Sequence, residues 1–449
     1  MLLSSKLPIV IVSMFCLSGC ATYQSQPLPT NTDLAENISA LKVNADSFLL
    51  AQLEKHPFNS TDGLDGLEVA MLAVANNPAL KASRGQRGEA AAQVYAAGLL
   101  PDPQFSVGLE KPSNGGAERV DGFDLGLGID LQALITRGAR SESSKASLLQ
   151  IDLELLWQEW QVVQQARLLT VNVQSGARKQ RLLEAARDRY KDGYKESQRL
   201  LEKGDLTLDT AGAVASVWFN AESRLNHTTQ VNSRERQGLH ALLGLAASVE
   251  LPLAPLDPPP LAAIADLDEI FSELPQRRPD LLALQAGYQS QEQRVRKAIL
   301  SQFPALSVGF TRARDTDGLY TTGFGVSLDL PVFSGHRGQI AQERATRQRL
   351  HAEYQARLSQ AGSDVFRLLE RQRLLALQRA QLLQRQPELE SLIGLTRHAY
   401  QRGDLPGLNL FNLETTQLEQ GLEMIELEQT LWQVRIALDT LLALPESEE

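Results

Sequence analysis

Cysteine is almost absent from this sequence of 449 residues, which contains only Cys16 and Cys20. Both stand at the very start, so no disulfide can cross-link the body of the chain. Histidine and methionine are also scarce, with six and four copies, and they form no cluster with the spacing of metal ligands. We therefore expect no metal site and no cofactor, and a chain held together by apolar burial or by assembly.

Long apolar runs are missing as well. The run from Leu7 to Leu17 follows Lys6 and is well under the roughly 20 residues that a membrane-spanning helix needs. Small residues follow it, which is typical of a secretory signal with a processing site. Leu17-Ser18-Gly19-Cys20 resembles the bacterial lipobox, whose cysteine is acylated, for example with palmitate. We predict a signal peptide at 1–19, lipidation of Cys20 and a lipid-anchored segment at 20–62, and Ala21 favours the outer membrane.

An excess of basic residues is also lacking. The formal net charge is −10, which argues against a nucleic-acid partner because phosphate binding needs clustered Lys and Arg. The sequence contains no nucleophile elbow, no zinc-type His-Glu-x-x-His and no phosphate loop. His351 and His398 fall on helical stretches, where they are expected to be surface residues. An exported enzyme is the main rival class, and we predict that the chain is not an enzyme.

Two long units repeat along the sequence. Asn77-Pro78-Ala79-Leu80 is matched by Arg278-Pro279-Asp280-Leu281, displaced by 201 positions. The pairs that keep nearly the same displacement are Pro103 with Pro304, Gly122-Phe123 with Gly323-Phe324, Arg137-Gly138 with Arg337-Gly338, and Lys203-Gly204-Asp205-Leu206 with Arg402-Gly403-Asp404-Leu405. The units occupy 63–250 and 267–449. Prolines between them predict an extended linker at 251–266.

The spacing of the apolar residues changes twice within each unit. The stretch from Ala139 to Leu201 has no proline and predicts a long helix of coiled-coil type. Its apolar residues at steps of four and three are Leu149, Leu153, Leu156, Trp160 and Val163. By contrast, Gly122 to Leu131 and Gly323 to Leu330 alternate apolar residues with small or polar ones. This pattern fits a transmembrane β-strand with lipid on one side, although soluble amphipathic strands also show it. Lys111 to Asp121 and Arg312 to Leu319 are the expected hairpin loops.

Four strands cannot close a barrel, so strands that span a membrane here require association of several chains. Several motifs resemble the TolC-type outer-membrane efflux family: Asn77 to Leu80, the proline before each first strand, Leu330 to Gly335 with Arg337, and Tyr400-Gln401-Arg402-Gly403. The resemblance implies an α+β membrane protein that forms a homotrimer. Each subunit would give four β-strands to a shared twelve-stranded barrel in the outer-membrane lipid, continued by a long α-helical tunnel in the periplasm. The implied partners are a periplasmic adaptor protein and an inner-membrane pump, chiefly of the resistance-nodulation-division class.

The resemblance also indicates candidate site residues. The two helix reversals at the periplasmic end are the expected adaptor contact, with Gly204, Asp205, Tyr400, Gly403 and Asp404. In the family, acidic residues six and nine places after the second glycine can form a gate, whereas this chain has Asn409 and Asn412 there. An acidic gate is therefore in doubt, and a solvated helix face is the competing interpretation. The predicted pore constriction comprises Asn409, Asn412 and Glu414.

The predicted function is that of a passive outer-membrane channel in a tripartite efflux system, driven by the inner-membrane pump. Two alternatives stay open. One is the outer-membrane duct of a type I protein or peptide secretion system, which shares all these motifs. The other is a lipid-anchored periplasmic coiled-coil scaffold, which would explain the helices but not the paired alternating segments. The sequence does not distinguish metal ions, drugs and peptides as substrates.

Overall fold

The computed structural model describes residues 22–41, 53, 56–59, 63–113, 119–259, 261, 267–331 and 333–442. The predicted signal peptide and Cys20 lie outside these residues. Met1–Leu34 and Ala35–Glu449 form two separate units. The described part of the first unit, residues 22–34, is exposed and contains no helix or strand, in keeping with Pro27 and Pro29.

In the second unit, the order of two helices, two strands and two helices occurs twice. The first set is α1 (Gly66–Asn76), α2 (Pro78–Gly98), β1 (Gln104–Glu110), β2 (Gly122–Asp130), α3 (Leu131–Lys203) and α4 (Leu208–Leu243). The second set is α5 (Leu267–Arg277), α6 (Pro279–Leu300), β3 (Ala305–Arg314), β4 (Tyr320–Asp329), α7 (Arg337–Gln401) and α8 (Gly407–Leu442). Within the described residues, no helix combines the length and the apolar character needed to cross a membrane.

The repeated proline motif starts α2 and α6. The Asn77 side chain accepts a hydrogen bond from the Leu80 amide and donates one to the Leu242 carbonyl, so it caps α2 and ties it to the end of α4. Pro78 and Pro279 occupy the first turns of their helices, where a missing N–H costs nothing. In the second copy, the Arg278 side chain instead forms an ion pair with Asp280 at 2.7 Å.

The main apolar core surrounds the short helix α1. Asp65 and Glu68 form a capping box at its start, and its residues from Val69 to Val74 are buried on every side. They pack against α3 and α4 through residues such as Val163 and Leu243. Fully burying an aliphatic side chain contributes about 1.5 to 3 kcal/mol to the free energy of unfolding. This cluster therefore holds α1, α3 and α4 together.

The four strands form one antiparallel sheet in the order β1-β2-β3-β4. Phe105 pairs with Leu127, Leu127 with Phe310, and Phe310 with Phe324, so apolar side chains from all four strands share one face. The opposite face carries small residues such as Ser106, Gly126, Gly309 and Ser327. The register therefore confirms that the alternation in the sequence sorts side chains onto an apolar face and a small, polar face.

The second hairpin loop is shorter than the sequence suggests. We expected a loop from Arg312 to Leu319, but β3 continues to Arg314 and β4 begins at Tyr320. The Arg314 guanidinium lies over the Tyr320 ring, 5.4 Å from its centroid, which favours the extra paired residues. The turn closes on the Asp315 carboxylate, which accepts hydrogen bonds from the Asp317 and Leu319 amides.

The two junctions between sheet and long helix differ, as their sequences indicate. Asp130 ends β2 and caps α3 directly by accepting hydrogen bonds from the Gln132 and Ala133 amides. In the second repeat, Pro331 follows β4, and α7 begins only after His336, which has a left-handed backbone with φ of 52°. The α3 helix contains 73 residues, or roughly 110 Å at about 1.5 Å per residue.

Candidate functional site

The first helix reversal, which we call tip 1, joins α3 to α4 around Gly204. Gly204 has φ of 80°, a left-handed conformation that only glycine adopts without strain. Its amide donates to the Leu201 carbonyl and the Asp205 amide to the Leu200 carbonyl, which closes the end of α3. Thr207 then caps α4. The reversal that the sequence places at Gly204 is present.

The second reversal, tip 2, has nearly the same geometry around Gly403, whose φ is also 80°. The Gly403 amide donates to the Tyr400 carbonyl and the Asp404 amide to the Ala399 carbonyl. Arg402 forms an ion pair with Asp404 at 2.8 Å, which braces the turn. A side chain at Gly407 would meet the Tyr400 ring at 3.0 Å, so the ring packs closely over the start of α8.

Both tips expose apolar side chains beside polar ones. Leu208 at tip 1 is 75% exposed, and Leu405 and Tyr400 at tip 2 are partly exposed. Asp205 and Asp404 are exposed as well. Isolated exposed leucines are common, but here they occur at matching turns next to acidic residues. Such a surface can take up a partner that offers apolar and basic side chains.

The predicted constriction residues do not share one face of α8. Asn409 and Asn412 are exposed, and Thr416 continues the same face one turn on. Glu414 is buried instead, with 6% of its side chain exposed. Its carboxylate accepts hydrogen bonds from Arg397 on α7 at 2.9 Å and from Arg189 on α3 at 3.2 Å. Glu414 therefore binds three helices together and does not present a free charge beside the two asparagines.

A dense aromatic contact lies next to Glu414. Tyr190 on α3 is almost fully buried and packs edge-on against Phe411, with ring centroids 6.3 Å apart. Burial raises the pKa of the Tyr190 hydroxyl above its ordinary value, and the charge of Glu414 acts in the same direction. Gly193 faces the Phe411 ring so closely that any side chain there would collide with it. Here α3 and α8 pack closely.

A cavity of about 470 Å³ opens beside this contact, between α3, α7 and α8. Its walls are mainly apolar, with Leu182, Ala186, Leu389 and Met424, and the Glu414 and Arg189 side chains border it. Pro387 lies inside α7 at the level of this cavity. A proline within a helix removes one backbone hydrogen bond and crowds the preceding turn, so α7 is weakened beside this cavity.

Sequence reasoning did not identify Arg189, Arg397, Tyr190 or Gly193. Their contacts join residues that are far apart in the chain, and no local spacing reveals such pairs. Within the described residues, no group of three or more His, Cys, Asp or Glu side chains has the geometry of a metal site.

The comparisons with known proteins start from sequence. No family model matches this chain, and no curated protein matches it. Solved structures do match. The chain resembles CusC with 18% identity and a TM-score of 0.72, over 87% of this chain and 96% of that one. The fold is that of the TolC-type outer-membrane channels.

Two further channel structures support this fold. The outer membrane protein VceC from Vibrio cholerae is 17% identical, with a TM-score of 0.68 over 84% of this chain and 95% of VceC. The CmeC outer membrane channel of Campylobacter jejuni is 15% identical, with a TM-score of 0.71 over 96% of both chains. These similar structures are channels rather than enzymes. At such low identity they establish the fold, and function must be argued from this chain.

Proposed function

We propose that this chain is one subunit of an outer-membrane channel that serves a tripartite efflux system. The observation that carries the proposal is the four-stranded sheet, whose apolar face is exposed. Phe105, Phe324 and Val326 on that face are 67%, 73% and 57% exposed. Exposed apolar area of this extent is costly in water but suits a lipid bilayer.

Aromatic residues mark both ends of the apolar face. Phe123 and Tyr320 lie at the end near the hairpin loops, with ring centroids 6.2 Å apart. Phe303 and Phe333 flank the sheet at the helical end, and both are largely exposed. Aromatic girdles at the two membrane interfaces are typical of transmembrane barrels. In the proposed orientation the loops face outside and the helices extend into the periplasm.

The outer strands explain why the functional unit would be a homotrimer. Among the described strands, β1 pairs only with β2 and β4 only with β3, so each leaves one edge unpaired. An unpaired edge in lipid would cost several kcal/mol per backbone group. Antiparallel pairing of β4 with β1 of the next subunit removes both edges, and three subunits would give the closed twelve-stranded barrel that the resemblance to the TolC-type family implies.

The proposed role is a passive one. The small, polar face of the sheet would line a water-filled lumen, and an inner-membrane pump, of the resistance-nodulation-division class in the first instance, would supply the energy through a periplasmic adaptor. The adaptor would dock on tips 1 and 2 through Gly204, Asp205, Tyr400, Gly403 and Asp404. Asn409 and Asn412 would line the constriction, which Glu414 would shape by helix packing. Lipidation of Cys20 would anchor the chain, and a Cys20→Ser variant that still incorporates labelled palmitate would disprove this.

The test is to isolate outer membranes and follow the protein on gels with and without heating. We expect a trimer that dissociates only on heating, and deletion of the gene should sensitise the cells to a metal ion or a toxic small molecule. A water-soluble monomer after removal of the lipid would support the periplasmic scaffold instead. A trimer whose deletion leaves every metal and drug tolerance unchanged but stops export of a protein or peptide would support the secretion duct.

A further inference from the structure

Two arginines interrupt the apolar face of the sheet at its loop end. Arg312 and Arg314 belong to β3 and alternate with Thr311 and Ala313, so they share the face of Phe310. Arg312 pairs in register with Leu125 on one side and Thr322 on the other. Basic side chains thus stand in the outermost part of a surface that is otherwise apolar.

Their position along the strand is asymmetric. The same face begins at Leu306 and continues through Val308 and Phe310 before it reaches the arginines. From Leu306 to Arg314 the strand advances by roughly 27 Å at about 3.4 Å per residue. At a strand tilt of about 40° this is about 21 Å of height, so Arg314 would stand near the edge of an apolar band about 25 Å tall. At the helical end, Leu306 pairs with Leu328 and Val308 pairs with Ile129, and neither neighbour is charged. The positive charge lies at the loop end.

The two guanidinium groups lack acidic partners in the described part of the chain. The nearby Asp317 carboxylate is engaged by Arg119 at 3.7 Å, and Asp315 accepts two backbone amides in the turn. No described carboxylate forms an ion pair with Arg312 or Arg314. The Arg314 guanidinium lies over the Tyr320 ring, 5.4 Å from its centroid.

We propose that Arg312 and Arg314 bind phosphate groups of a lipid in the outer leaflet, whose acyl chains lie along Phe310 and Val308. The chemistry follows from the geometry. Guanidinium groups bind phosphate through two parallel hydrogen bonds, and the Tyr320 ring beneath Arg314 keeps that planar group oriented. A carboxylate peptide or a free anion would leave the adjoining apolar surface uncovered. This inference rests on the proposed function, because it requires the sheet to be in the membrane.

The experiment measures lipid binding to the full-length protein in detergent by native mass spectrometry. The probes are a diglucosamine lipid with two phosphates and the same lipid without phosphates. We expect the wild type to bind the phosphorylated lipid about tenfold more tightly, the scale of one or two charge-assisted hydrogen bonds. The double variant Arg312→Gln/Arg314→Gln should lose this preference. Millimolar inorganic phosphate should not displace the lipid.

The matched control is Arg344→Gln/Arg371→Gln, which removes the same charge from exposed positions on α7. It should keep the wild-type preference. Equal binding of the two lipids by the wild type would overturn the proposal without any variant, as would displacement by inorganic phosphate alone or a preference that persists in the double variant. A protein absent from the outer membrane would overturn the proposed function, whereas a membrane trimer without the preference overturns only the lipid site.

Discussion

Single glycines set the direction of the chain at both tips. Gly403 has a left-handed backbone, and nothing lies within 4 Å of the position where a Cβ would stand. Gly403→Ala should therefore destabilise the protein by about 1 to 2 kcal/mol through backbone strain alone, and it should weaken adaptor docking. Thermal unfolding and adaptor pull-down measure the two effects. Gly394→Ala, within α7 and equally uncrowded, is the control and should be neutral or stabilising.

Glu414 is a second residue on which the stability of the helix packing depends. Glu414→Gln keeps the shape but removes the charge that Arg189 and Arg397 share. We expect the free energy of unfolding to fall by about 2 kcal/mol. This is less than for a fully buried ion pair because both arginines are partly exposed. Denaturant unfolding measures this, and single-channel recording should show more frequent opening. Glu419→Gln, whose exposed pair with Arg224 spans 3.8 Å, should change stability by under about 0.5 kcal/mol. Equal losses in both variants would contradict the assignment.

His240 links stability to pH. Burial at the end of α4 lowers the pKa of its imidazole below the ordinary value of 6.5. As the pH falls below about 6.5, the unfolded chain takes up a proton that the folded chain resists, so stability should decline. In thermal melts, the melting temperature of His240→Phe should fall less between pH 7 and pH 5 than that of the wild type. His227→Gln, on an exposed part of the same helix, should retain the decline.

At the scale of elements, α7 contains its own weak point. Pro387 lies beside the cavity between α3, α7 and α8, and its ring crowds the Leu383 carbonyl one turn earlier. Pro387→Ala should stabilise α7 by roughly 1 to 3 kcal/mol, since proline is about 3 kcal/mol less favourable than alanine within a helix. We expect a higher melting temperature and rarer channel opening. Gln386→Ala, the exposed neighbour, should change neither. An unaltered melting temperature in Pro387→Ala would show that the proline does not weaken α7.

Elements with a strong local pattern were predictable from sequence. The alternation of Gly122 to Leu131 predicted β2 to within one residue. The long helix was expected from Ala139 but begins at Leu131, because Asp130 supplies a cap that the periodicity does not reveal. Arg312 to Arg314 were expected in a loop because of their polar character, whereas β3 includes them. The contact of Arg314 with the Tyr320 ring is tertiary, and the local pattern does not reveal it.

The candidate site was predictable only where it is local. Gly204 and Gly403 were identified because a helix reversal needs a residue that accepts positive φ. Glu414 was grouped with Asn409 and Asn412 by proximity in sequence, yet its position on the helix turns it to the opposite, packed side. Its partners come from two other helices, one of them in the other half of the chain. No period within one helix carries that information.

At the scale of the whole molecule, adjacent residues of β4 should respond oppositely to the same change. Val326 belongs to the apolar face and Ser327 to the small, polar face. Val326→Arg places a charge in lipid, at a cost of about 2 to 4 kcal/mol per subunit near the bilayer centre, and should abolish the heat-stable trimer in outer membranes. Ser327→Arg should preserve the trimer and reduce conductance. Equal tolerance of both substitutions would indicate that the sheet does not contact lipid.

The centre of the sheet pairs β2 with β3, which come from opposite halves of the chain. The complete sheet therefore cannot form from the first half alone, because β2 gains its partner β3 only after α3 to α6 have been synthesised. Such distant pairing has high contact order, so folding is slow and the unpaired strands stay open to aggregation. The duplicated architecture thus leaves β2 of the first half without its partner β3 until the second half of the chain is available.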